Sequence, residues 1–192
     1  MMRSCRSIAL VAAVLCLTVQ ATFARIDIKI DFDKSFDFTA VRSWGWSPTG
    51  YGQVKLARTA SDDPEAMTKY AEPIIVDAVT TEMGNRGLRQ APSEPDAFIA
   101  YFLLLTTGAQ AQTMGQFLPP TMEWGLPYFP QSTQSLRIMN QGALVLDVSA
   151  KGAVVWRGVA RAEIKMDANE KKRETLVRTA VRDLLRRYPP KR

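Results

Sequence analysis

The sequence predicts an α+β fold: a mostly antiparallel sheet with two helices packed on one face and one long irregular loop. Three observations carry that expectation. Ile26, Ile28, Ile30 and Phe32 alternate with Asp27, Lys29, Asp31 and Asp33, the two-residue period of a half-buried strand. Gly142–Val148 and Ala153–Lys165 are strand-like runs separated by Ser149-Ala150-Lys151-Gly152, a hairpin signal. Leu176, Val177, Ala180, Val181, Leu184 and Leu185 lie along one helical stripe, with Arg178, Arg182 and Arg186 on the opposite side. Segregated helices over a sheet bury both helical stripes in the simplest way.

The elements follow in order. Arg3 and Arg6, the apolar stretch Ile8–Val19 and a small residue at Ala24 have the three-part layout of a secretory signal. The stretch is shorter than the roughly 20 residues of a membrane span. Residues 1–24 are therefore expected to be a leader cleaved near Ala24, and 25–192 a single α+β domain. Val41–Trp46 reads as a second strand ending at Ser47-Pro48, and Thr49–Asp63 as loop. Pro64 opens a helix in which Ile75, Val79 and Met83 recur every four residues; Pro73 restarts or kinks it, and Gly84 and Gly87 close it. Ala97–Leu105 is a nearly continuous apolar run, as in a strand covered on both faces. Thr106–Ser135 has no period. It concentrates Met114, Phe117, Leu118, Met122, Trp124, Leu126, Tyr128 and Phe129, among which Phe117, Trp124, Tyr128 and Phe129 are the candidate anchors for a partner or ligand.

Composition removes whole classes of chemistry. Of the 192 residues 46% are hydrophobic and 23% charged, an ordinary globular balance. There is no histidine, and the two cysteines, Cys5 and Cys16, fall inside the leader. The remaining chain has no thiol nucleophile, no Ser-His-Asp triad and no zinc site built on those ligands. No catalytic residue, metal site or cofactor is assigned. Without Arg3 and Arg6, 23 basic side chains face 19 acidic ones, a mild excess that serves solubility and predicts no nucleic-acid partner.

Four constellations have simple structural readings. Asp31, Asp33, Ser35 and Asp37 share the spacing of a calcium loop, but Phe36 stands at the required glycine and Arg42 at the bidentate acid. Gly50-Tyr51-Gly52 lacks the third glycine of a phosphate loop and reads as a surface turn. Glu65, Glu72, Asp77 and Glu82 read as the solvated side of the first helix. The Arg178, Arg182 and Arg186 row complements a helix C-terminus, and its functional alternative is peripheral contact with anionic lipid headgroups.

The ordered motifs resemble a bacterial family, the domain of unknown function 4136, over about residues 28 to 190. The similarity rests on Asp33, Phe38 and Trp44-Gly45-Trp46; on Gly87-Leu88; on Pro95-Asp96 with Tyr101; on Gly142, Leu144 and Asp147 followed by Trp156-Arg157-Gly158-Val159-Ala160; and on Pro189. Asp33, Phe38, Trp46, Gly87, Asp96, Gly142, Asp147, Trp156, Arg157 and Gly158 form its signature, with structural roles expected. Trp156 is expected to pack on the sheet, Gly158 to allow close backbone approach, and Arg157 to pair with Asp147 across the hairpin. The resemblance implies an exported, periplasmic envelope protein without assigned activity. Many members resemble lipoproteins, and this chain departs from them in lacking a good lipidation site.

The expected function is non-enzymatic binding of an envelope protein partner or an apolar ligand. The alternatives are an envelope enzyme using carboxylate, Ser or Lys groups, and a purely structural envelope component.

Overall fold

The alternation at the start of the chain forms an edge strand, β1 (Asp27–Phe32), whose Ile28, Ile30 and Phe32 turn toward the core. A computed structural model describes residues 25–57, 64–106, 142–163 and 168–191. A turn follows β1, in which the Asp33 carboxylate accepts from the Ser35 amide at 2.8 Å and hydroxyl at 2.6 Å. Asp37 then caps a single 3-10 turn, Phe38–Ala40, by accepting from the Thr39 amide and hydroxyl. The calcium-like spacing is thus a strand end and two side-chain-capped turns.

β2 (Ser43–Trp46) leads through Ser47–Tyr51 into β3 (Gly52–Ala57). That strand corrects the expectation of loop over Thr49–Asp63, and of a surface turn at Gly52. β3 pairs in parallel with β5 (Ala97–Thr106), a partner more than forty residues away, so no local pattern announces it. α1 (Pro64–Asn85) is one continuous helix with Pro73 on its exposed side. It ends where Gly87, at φ 74°, lets the Leu88 amide reach the Met83 carbonyl at 3.2 Å and the Gly87 amide reach Gly84 at 2.8 Å. These two bonds are a Schellman closure. The short β4 (Arg89–Gln90) was not expected from sequence.

β6 (Gly142–Ala150) and β7 (Ala153–Arg161) form the hairpin. Lys151 and Gly152 both have positive φ, 51° and 79°, as a tight two-residue hairpin turn requires. α2 (Glu170–Leu185) starts at Asn169, whose side chain accepts from the Lys172 amide at 3.0 Å.

The sheet runs β1-β7-β6-β5-β2-β4, with β3 beside β5 beyond the end of β2. β1, β7, β6 and β5 are antiparallel neighbours, whereas β2, β3 and β4 join in parallel. The sheet is therefore mixed, because α1 carries the chain from the end of β3 back to the start of β4 and β5, which then run in the same direction as β2 and β3. Both helices of the described residues lie on one face. Ile75, Val79 and Met83 of α1 and Val181, Leu184 and Leu185 of α2 pack with Tyr101, Leu146 and Trp156 of the sheet. On the opposite face Phe102, Leu104, Ala143, Val145 and Val159 make a second buried cluster, and no helix packs there among the described residues.

Candidate functional site

Strand alternation sorts the signature residues onto the two faces. On the helical side Trp156 is fully buried, and its ring meets Tyr188 edge-on at 5.5 Å. Tyr188 also meets Phe38 at 5.9 Å, and Phe38 meets Phe36 at 4.9 Å. Burial pushes the Tyr188 phenol up to about 12. Trp46 is half-buried between Trp44 and Tyr51. Gly142 starts β6, its carbonyl accepting from the Ala162 amide at 3.1 Å. Tyr101 reaches across the helical face, and its hydroxyl donates to the Glu72 carboxylate at 2.9 Å. Burial first, and then that carboxylate, raise the Tyr101 pKa. Glu72 is thus half-buried and bonded rather than simply solvated.

Asp96 organises the end of the sheet where β2 and β5 start. Its carboxylate accepts from the Ser43 hydroxyl at 2.8 Å and from the Ser43 and Arg42 amides at 2.8 and 3.0 Å. The Ser43 hydroxyl, with the Arg42 and Ser43 amides, holds its pKa below the usual carboxylate range.

The other face carries the unusual chemistry. Register places Asp31 opposite Arg157, Arg157 opposite Asp147, and Asp147 opposite Ala100, one row across four adjacent strands. Arg157 donates through Nε and Nη2 to the two oxygens of Asp147 at 2.7 and 2.6 Å. The two side chains are 3% and 1% exposed, an ion pair taken out of water on a largely apolar face. Burial raises the Asp147 pKa, and the two bonds from Arg157 oppose it.

A cleft of about 560 Å³ opens beside Asp147, within the usual range for small-molecule sites. Phe98, Ala100 and Phe102 of β5 contribute its apolar surface, and Asp147 and Ser149 of β6 continue it. The Ser47–Gly50 turn, Asp96 and the Lys151-Gly152 turn complete its outline. A smaller hollow of about 320 Å³ lies between α1 and α2, around Thr81, Glu82 and Arg178. Its charges are already matched, since Arg178 binds Asp77 at 2.6 Å and Glu174 at 2.8 Å. The sheet-face cleft, with a buried ion pair and an apolar wall, is the stronger candidate.

Sequence reasoning missed Phe98, Ala100, Phe102, Ser47 and Lys151 as neighbours of a site. The available signal was the Ala97–Leu105 run, apolar on both strand faces although the helices among the described residues occupy only one. Phe117, Trp124, Tyr128 and Phe129, the sequence-based binding candidates, lie outside the described residues, as do residues 1–24, the leader expected from sequence. Among the described residues no group of three or more acidic, His or Cys side chains is placed to hold a metal ion. None of their helices is long and apolar enough to cross a membrane.

Residues 28–190 match the family model described as "Domain of unknown function (DUF4136)". Among solved structures, a DUF4136 family protein of Bacteroides thetaiotaomicron VPI-5482 matches with a TM-score of 0.51 and 16% identity, over 85% of this chain and 96% of that one. A PDZ domain protein of Parabacteroides distasonis ATCC 8503 matches with a TM-score of 0.50 and 12% identity. That match takes in 91% of this chain and 38% of the larger protein. At these identities the likeness is one of fold. No curated protein matches the sequence.

Proposed function

Since the chain belongs to the DUF4136 family, whose description assigns no activity, we propose a role from its own site: an exported envelope module that binds an apolar or amphipathic ligand in the sheet-face cleft, without catalysing a reaction. Export is supported by the basic, apolar and small-residue sequence of positions 1–24. Binding is supported above all by one observation: the cleft joins an apolar wall of Phe98, Ala100 and Phe102 to a buried charged group, Asp147. Small-molecule sites combine these two features, apolar contact for affinity and a few fixed polar groups for orientation.

A binding role fits the acidic groups better than acid-base catalysis does. Asp147 is held by Arg157 and Asp96 by the Ser43 corner. The carboxylates nearest the cleft thus serve structural bonds. Titration of the purified chain with N-phenyl-1-naphthylamine, a neutral probe that brightens in apolar surroundings, tests the reading. Saturable one-to-one binding is expected; a linear, unsaturable rise sinks it.

A further inference from the structure

Resting on that cleft reading, we propose that the ligand is a linear amphiphile whose anionic head sits at Lys151 and whose single tail lies along Phe98, Ala100 and Phe102. The track follows from strand geometry. Alternate residues of β5 share a face, so these three form one row about 13 Å long. Ala100, small between two phenyl rings, makes the row a groove. Phe98 and Ala100 are half-buried and Phe102 is buried, so the row is most accessible at its Phe98 end. Register gives it a direction. Phe98 stands opposite Ser149, two residues before Lys151 in the β6–β7 turn, so the lysine lies at that accessible end.

The charges around the cleft select the head. Among the described residues its charged side chains are Asp96, Asp147 and Lys151. Each carboxylate already has its own partners. Arg157 binds both oxygens of Asp147. Asp96 accepts from the Ser43 hydroxyl and from the Arg42 and Ser43 amides, and the positive charge of Arg89 acts on it as well. Lys151 is exposed and makes no ion pair or side-chain hydrogen bond among the described residues. The cleft mouth therefore carries one unmatched positive charge, which attracts an anion and repels a cation. The half-buried Ser149 hydroxyl, also without a bond among the described residues, is a second donor for that head. At an exposed rim the head keeps part of its water, so the ion pair adds affinity without the cost of burying a charge.

The experiment measures displacement of N-phenyl-1-naphthylamine at low salt by decanoate and by decyltrimethylammonium, ions of opposite charge on similar tails. In the unmodified chain decanoate is expected to bind about fivefold more tightly, near the upper value for one exposed ion pair. Lys151→Asn removes the charge and keeps the turn, because Asn-Gly is the favoured pair for a two-residue hairpin with both φ positive. In that variant the decanoate preference is expected to vanish while probe affinity stays within twofold. Equal or tighter binding of decyltrimethylammonium to the unmodified chain overturns the anionic-head inference and leaves the cleft reading standing. A decanoate preference that survives Lys151→Asn overturns it too, as does failure of both ions to displace a saturably bound probe. Absence of saturable probe binding overturns the cleft reading itself.

Discussion

Gly158 and Trp156 share one volume: a Cβ built on Gly158 would run into the Trp156 indole and stand 2.9 Å from a methyl group of Leu184. Two residues apart on β7, they face the same side, and the missing side chain at one lets the ring of the other lie flat beneath α2. Gly158→Ala is therefore expected to cost about 1–3 kcal/mol through overpacking. Trp156→Ala is expected to cost about 3–5 kcal/mol, since the side chain is fully buried. Urea denaturation of both and of the double variant checks the shared volume. The double variant should be more stable than the sum of the single losses predicts, because without the indole the new methyl has room. Additive losses would contradict the packing.

The Asp147–Arg157 pair is expected to show a large asymmetry. Arg157→Met alone strands a buried carboxylate and is expected to cost about 3–5 kcal/mol. Replacing both members, with Asp147→Leu and Arg157→Met, is expected to restore most of that loss. Chemical denaturation of the three variants reads the difference. A double variant as unstable as the single one would show that the pair has some further structural role.

Acid stability should report on the Ser43–Asp96 corner. The folded pKa of Asp96 is lowered, so its contribution is complete above about pH 4 and fades as pH falls through the folded value. Asp33, lowered first by the Ser35 hydroxyl, acts in the same direction. Asp96→Asn is expected to lower Tm at pH 7 and to flatten the fall in Tm between pH 5 and pH 2. Melts across that range check it; parallel curves for the two proteins would contradict the assignment.

Local patterns were enough for some elements and useless for others. The β6–β7 hairpin is legible because Lys151-Gly152 interrupts two runs that alternate against each other. The α2 stripe is legible because Ala180, Val181, Leu184 and Leu185 are all buried. Counting back from that turn would set Asp147 opposite Trp156; a β-bulge at Val148/Ser149 moves the register by one residue and brings Arg157 opposite Asp147, as the family resemblance implies. The parallel strands are different. β3 has no local partner, and its Gly52-Gln53-Val54-Lys55 start reads as turn until β5 is placed beside it. The cleft was illegible for the same reason, since Ser47, Asp96, Ala100 and Lys151 come together only when the parallel and antiparallel halves of the sheet share β5.

The face without helices among the described residues is proposed to bind a ligand beside Asp147. The most direct test places a large side chain in each hollow in turn and measures N-phenyl-1-naphthylamine affinity. Ala100→Trp fills the sheet-face cleft, and Thr179→Trp fills the hollow between α1 and α2. Ala100→Trp is expected to weaken the probe at least tenfold with folding intact by circular dichroism, while Thr179→Trp leaves affinity within twofold. Unchanged affinity in folded Ala100→Trp, or a loss confined to Thr179→Trp, would contradict it.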